Sequence, residues 1–268
     1  YETGAVGYLD YEIVRHLERL PRRAWPEEGL MMIFDGLVIA DRARNRAEFV
    51  SLLPFGRRRP TALRRAEQAA SRWDKILRRV PRRQSETAAI PKNLAPMQAT
   101  LGKAGYIAGV RRLKEHIRAG DIFQAVLAET FSIATSATPA VLCRALGSFG
   151  APPYLFWLKD GQRHLIGASP ERLIKVEDGL ALNCPIAGTR PRGGNRRRDV
   201  NFERALLRSP KEKAEHLMLV DLARNDLGRV CAPGTVCVRD FLRVRRLPNV
   251  MHLVSEVEGR LEGFTPWE

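Results

Sequence analysis

The segment Ser209-Pro210-Lys211-Glu212-Lys213-Ala214-Glu215-His216 holds the residues best suited to chemistry in this 268-residue chain. On a helix opening at Pro210, Glu212 and Glu215 share one face, because positions i and i+3 are neighbours there. Such a pair can hold a divalent cation: magnesium takes one or two carboxylates and completes its shell with water and an anionic substrate. The competing reading of Glu212 is a capping box, S-x-x-E, in which it merely bonds the Ser209 amide. For Glu215 the competing reading is a solvated helix face. The residues after it are apolar nearly all round, however, which implies burial, and a buried carboxylate needs a partner.

Three further segments carry polar groups with chemical potential. Glu171 follows Gly167-Ala168-Ser169-Pro170, where one strand breaks before another begins; it is either a poised acid or a polar turn residue. Gly188-Thr189-Arg190-Pro191-Arg192-Gly193-Gly194 has the composition of a phosphate loop but lacks the G-K-[ST] ending of a nucleotide site. Its backbone amides and the Thr189 hydroxyl can still hold a carboxylate. His252 lies in the apolar string Val250 to Ser255; a lone histidine there is either a satisfied core residue or a proton carrier.

The elements that must position these residues read as follows. Leu30 to Ala40 predicts two strands around an Asp35-Gly36 hairpin turn. Thr61 to Arg79 predicts a basic surface helix, and the proline-bearing stretch Pro81 to Pro96 a linker. Tyr106 to Ala119 predicts a helix capped by Gly120. Asp121 to Ile133 alternates, with Phe123, Ala125, Leu127, Glu129, Phe131 and Ile133 on one side, and predicts a strand. Pro139 to Leu146 predicts a short helix. Strands follow at 154–158, 164–168, 172–176 and 180–186, then a loop over Gly188 to Asn195. Helices from about Phe202 and Pro210 come next, with strands near Val236, Leu242 to Arg246 and His252 to Val257. Strands and helices come in runs, so the expected class is α+β with antiparallel pairing.

Composition narrows the function classes. A hydrophobic fraction of 44% suffices to close a core and excludes a disordered chain. The four cysteines show no C-x-x-C pairing, so neither a zinc ribbon nor a thioredoxin-type site is signalled, and a reduced, cytoplasmic protein is expected. No apolar run approaches the ~18 residues of a membrane span, so no membrane partner is expected. The net charge of +15 comes mostly from arginine. It admits a basic, non-catalytic anion- or nucleic-acid-binding protein as a competing class. The arginine clusters at 22–23, 57–59, 82–83 and 196–198 are scattered rather than gathered into one aromatic-laced stripe, so no nucleic acid is expected.

Taken together, five strings resemble the chorismate-utilising enzymes, and within them the large subunits (component I) of anthranilate synthase. They are Ala119 to Gln124 (AGDIFQ), Gly167 to Arg172 (GASPER), Pro185 to Arg190 (PIAGTR), Glu215 to Asp226 (EHLMLVDLARND) and Val250 to Ser255 (VMHLVS). Gly4 to Leu9 (GAVGYL) resembles the family's amino-terminal part. The resemblance implies large antiparallel sheets with flanking helices around a central cleft. It implies residues 1–95 as a remnant of the amino-terminal domain plus linker, and 96–268 as the first part of the chorismate-binding domain. Family chains extend beyond both ends, with a second magnesium glutamate in their continuation, so the expectation is an internal fragment with half an active site, inactive alone.

The implied activity is magnesium-dependent amination of chorismate, loss of its hydroxyl and elimination of pyruvate to give anthranilate, in tryptophan biosynthesis. By position, Glu215 becomes a magnesium ligand and Glu212 a carboxylate behind it. Glu171 becomes the general acid, Gly188 and Thr189 hold chorismate, and His252 assists pyruvate elimination. A glutamine amidotransferase subunit is the implied partner. Gln124 stands where water-activating relatives carry lysine, and Ala187 where aminodeoxychorismate synthases, the alternative product class, commonly do. Pro153, Tyr154 and Leu155 resemble the family's tryptophan feedback pocket, or else form a plain core strand. On this reading the carboxylates at 171, 212 and 215 share one pocket.

Overall fold

The computed structural model describes residues 4–20, 29–34, 36–41, 43–51, 59–79, 95–149 and 152–263. The chain divides into two units, Tyr1–Glu86 and Thr87–Glu268. In the first, β1 (Ala5–Leu9) pairs antiparallel with β2 (Gly29–Ile33), and β3 (Gly36–Asp41) with β4 (Arg46–Ser51). Its described residues also form a 3-10 turn (Tyr11–Ile13), a one-turn helix, α1 (Val14–Leu17), and the long surface helix α2 (Arg59–Arg79).

Both strands expected within Leu30 to Ala40 exist, but they pair outward rather than with each other. Gly7 explains one pairing, since a Cβ there would fall 1.8 Å from the Leu30 carbonyl oxygen, and only a bare backbone lets β1 and β2 close. Turn chemistry explains the other. The Asp41 carboxylate accepts the Arg44 amide at 3.1 Å, and Asn45 takes a positive φ of 49°, a geometry that short polar side chains tolerate. Asp35 lies outside the described residues, as does most of the expected linker.

The second unit opens with β5 (Gln98–Ala99), α3 (Gly102–Ala119), β6 (Phe131–Ser132) and α4 (Pro139–Ser148). Gly120 caps α3 as expected, at φ 84°. The strand expected over Asp121 to Ile133 is reduced to Phe131–Ser132, paired with Gln98–Ala99. Among the described residues no strand lies beside 121–130, and an alternating segment without a ladder partner has nowhere to place its backbone bonds. Leu127 meets α3 at Gly109, while Phe123 is 94% exposed.

Then come the hairpin β7 (Tyr154–Asp160) and β8 (Arg163–Ser169), followed by β9 (Lys175–Glu177), β10 (Leu180–Asn183) and β11 (Ile186–Pro191). Helices α5 (Arg196–Arg208) and α6 (Pro210–Gly228) precede β12 (Cys237–Arg246) and β13 (Val250–Arg260). The β9–β10 turn uses Asp178 and Gly179, both at positive φ, as the Asp-Gly signal predicts. β13 is the spine of a five-stranded antiparallel sheet: β12 lies along one edge, and β11 and β10 share the other, with β9 beyond β10. The class is therefore α+β with antiparallel sheets, the largest having five strands among the described residues.

Its core lies between that sheet and the two helices. Val220, Ala223 and Leu227 of α6 pack on Ala181 and Val257, while Leu206 of α5 packs on Met251 and Leu253. Leu227 is 2% exposed, so Leu227→Ala is expected to lower the unfolding free energy by about 2–5 kcal/mol. Leu222→Ala, at a residue 54% exposed, is expected to stay within about 0.5 kcal/mol of the parent. Urea titrations of the two variants check the pair.

Candidate active site

The segment 188–195, expected as a loop, is half strand. β11 runs to Pro191, and its pairing with β13 shifts register between Ala187 and Thr189, so Gly188 is a bulge residue with φ 67°. Side chains alternate faces along a strand, and one inserted residue reverses the alternation beyond it. Ala187 pairs with Leu253, Thr189 with His252 and Arg190 with Met251. Leu253 and Met251 face α5, so Arg190 is turned to the helical face and Thr189 to the other, beside His252. A regular strand would exchange them.

On the helical face, Arg190 meets Glu212. Its Nη1 lies 3.2 Å from Glu212 Oε1 and donates to the Thr189 carbonyl at 2.8 Å. The Glu212 side chain lies over the bulge, with Oε2 2.9 Å from where a Cβ on Gly188 would sit. The capping alternative for Glu212 is half realised: the Ser209 hydroxyl accepts the Glu212 amide at 3.4 Å, while the Ser209 amide turns to the Leu206 carbonyl. The carboxylate of Glu212 is thereby left for Arg190. Glu215, one turn further along α6, is half-buried and has no hydrogen-bond or ion-pair partner among the described residues.

On the other face, His252 Nδ1 lies 3.1 Å from the Gly188 carbonyl oxygen and 3.2 Å from the Thr189 hydroxyl. A carbonyl only accepts, so the neutral ring carries its proton on Nδ1 and keeps a lone pair on Nε2. His252 also lines a cavity of about 260 Å³ with Phe149, Pro153, Ala168 and Pro170. Glu171 follows immediately on an exposed serine turn, its amide donating to Ser169 Oγ at 3.0 Å, and its carboxylate has no partner among the described residues. The bulge joins Gly188, Thr189, His252 and Glu212, and the cavity lined by His252 also takes in Ala168 and Pro170, just before Glu171.

The phosphate-loop composition has a different outcome. Asp199, in the first turn of α5, takes the Gly193 amide at 2.7 Å and the Arg192 guanidinium at 2.7 and 3.0 Å. The chain's own carboxylate thus occupies the anion position, and these bonds hold Asp199 below the usual carboxylate range. Pro153 and Tyr154 line a second cavity, of about 230 Å³, with Arg172, Lys175 and Cys184. Leu155 points the other way, against Gly147 of α4.

Sequence reasoning passed over Arg190, Asp199, His216 and Ser255. His216 and Ser255 are fully buried, with Nε2 and Oγ 2.7 Å apart. A glycine inside a strand marks a bulge, but the sequence reads Gly188 as the start of a loop, so that signal has no strand to act on. As for metal, among the described residues no three His, Cys, Asp or Glu side chains gather as a ligand group. Glu215, an unpartnered half-buried carboxylate, fits one ligand position of a cation that keeps water and substrate oxygens for the rest.

Over residues 1–268 the chain matches the family described as chorismate binding enzyme, and it belongs to that family. It is 42% identical to the anthranilate synthase component 1 of Streptomyces coelicolor, covering 97% of this chain and 53% of that one. Against the Thermus thermophilus protein of the same name it is 42% identical, covering 98% and 56%. The crystal structure of anthranilate synthase component I from Streptococcus pneumoniae superposes with a TM-score of 0.83 at 26% identity, over 98% of this chain and 58% of that one. The chain spans about half the length of the curated relatives it matches. Among the described residues no helix is long and apolar enough to cross a membrane.

Two outcomes follow from this geometry. Gly188→Ala is expected to cost about 1–2 kcal/mol from the positive φ alone, plus displacement of Glu212. Gly105→Ala, on the open side of α3, is expected to be neutral or stabilising; urea unfolding separates them. Burial holds His216 below its ordinary value, so the unfolded chain takes up a proton that the folded chain refuses. Stability is then full above about pH 6.5 and declines as pH falls below it. Unfolding midpoints between pH 7.5 and 5.5 are expected to fall less steeply in His216→Gln.

Proposed function

We propose that the natural polypeptide containing this chain converts chorismate and ammonia to anthranilate and pyruvate, as a cytoplasmic enzyme of tryptophan biosynthesis. The observation that carries the reading is the Gly188 bulge, which sets a hydroxyl and an imidazole on one face of the strand and a guanidinium–carboxylate pair on the other. The names of the relatives support the reaction, and component 1 in those names supports a second component, for which an ammonia-supplying glutamine amidotransferase subunit is the proposal.

Each residue has a physical task. The Thr189 hydroxyl and the backbone around Gly188 hold a carboxylate of chorismate. Glu171, exposed and unpartnered, gives its proton to the departing hydroxyl, a poor leaving group unless protonated. His252, with Nδ1–H anchored on the Gly188 carbonyl, presents Nε2 to take the proton lost as pyruvate is eliminated. Glu215 offers its oxygens to magnesium, which supplies positive charge beside a dianionic substrate, and Arg190 keeps the charge on Glu212 balanced behind it. Ala187 is buried without an amine, which disfavours the covalent chemistry of the aminodeoxychorismate alternative. Pro153 and Tyr154, near Arg172 and Lys175, suit a tryptophan whose carboxylate meets those cations; Leu155 has no part in that pocket.

The expected outcomes are specific. Glu171→Gln and Glu215→Gln each remove nearly all anthranilate formation from chorismate, ammonia and magnesium, read by product fluorescence. Unchanged rates in either would contradict its role. His252→Ala lets an aminated, pyruvate-bearing intermediate accumulate, and chromatography showing only substrate and anthranilate would retire that assignment.

A further inference from the structure

Helix α6 is a poor candidate for being oriented by hydrophobicity alone. Its buried stripe is His216, Val220, Ala223 and Leu227, yet Leu217 is 49% and Leu222 54% exposed on its other sides. Apolar and polar residues are spread around the helix with little directional bias, so hydrophobic burial alone fixes its rotation weakly. The stripe contains one directional contact, from His216 Nε2 to Ser255 Oγ at 2.7 Å, with both residues wholly buried.

Ser255 is itself fixed from three sides. It sits on β13, its amide donates to the Pro185 carbonyl at 3.1 Å, and its hydroxyl oxygen accepts the Leu242 amide at 3.0 Å. Leu242 has a positive φ of 54°, within the irregular pairing between Asp240 and Arg243. A leucine rarely adopts that backbone region, so the bond to Ser255 supports a strained bend as well as the helix. Ser255 is a fixed post, and His216 is how α6 attaches to it.

We propose that the His216–Ser255 hydrogen bond sets the rotation of α6 and thereby aims Glu215, the adjacent residue, and Glu212, one turn earlier. His216 and Ser255 are thus positioning residues for the reading above, on which this inference rests. Buried polar pairs are best attested in this role of choosing one register among several. The two strings EHLMLVDLARND and VMHLVS, far apart in the chain, meet at this bond. With 3.6 residues per turn, rotating α6 by one position would bring Leu217 inward and swing Glu212 off Arg190.

The test uses the natural polypeptide and Mn²⁺ as a probe, its free ion counted by electron paramagnetic resonance alongside the magnesium dependence of turnover. Ser255→Ala and His216→Leu are expected to weaken Mn²⁺ binding and raise half-saturating Mg²⁺ about tenfold, the scale on which outer partners tune metal affinity. Turnover at saturating metal is expected to stay within about threefold, and His216→Gln, whose amide nitrogen reaches the same place, to behave as the parent. Parent-like Mn²⁺ binding in Ser255→Ala, whatever its melting temperature, would overturn the proposal; if His216→Leu fails to fold, Ser255→Ala and His216→Gln decide it. Parent-like binding in Glu215→Gln would instead overturn the functional reading beneath it.

Discussion

One inserted glycine organises the site. At Gly188 the strand carries a residue that its partner does not match, and the faces of everything after it reverse. That reversal sends Thr189 to His252 and Arg190 to Glu212 in the same stroke. Glycine is required twice over: φ is 67°, and a Cβ would fall 2.8 Å from Leu206 and 2.9 Å from Glu212. The freed carbonyl then fixes the His252 tautomer. A bulge beside a reactive centre re-aims side chains that a regular ladder would misdirect.

The surrounding polar contacts hold that arrangement still. Arg192, bonded to Asp199 and to the Leu247 carbonyl, fastens the end of β11 to the start of α5. His216 and Ser255 fasten α6 to β13, at the cost of leaving His216 Nδ1 without a partner among the described residues. Apolar packing in Leu206, Met251, Leu253, Val220 and Val257 supplies most of the burial but little direction. Position is set by a few bonds set into that packing.

Much of this was legible in the residues themselves. The Asp178-Gly179 turn, the Gly120 cap and the Ser209-Pro210 helix start each rest on local chemistry, and each appears where its signal lies. What escaped depends on contacts distant in sequence. Leu30 to Ala40 contains both strands, but the choice of partner belongs to Gly7 and to the Asp41–Asn45 turn. Asp121 to Ile133 alternates well, yet alternation describes a face and not the neighbour that must supply the ladder. The phosphate-loop composition was real too, and its anion proved to be Asp199, a residue whose role only the folded chain displays. Membership of the family was carried by strings of residues, whereas the two-sided arrangement around Gly188 needed the register.

The central claim is that the bulge places Arg190 against Glu212, and a double-mutant cycle on those two residues tests it most directly. Alanine at either and at both positions, followed by urea unfolding, is predicted to give a coupling of about 0.5–1 kcal/mol with Gly188 present and none when Gly188 is deleted. A cycle that closes to zero in the parent chain, or a coupling that survives the deletion, would contradict the account.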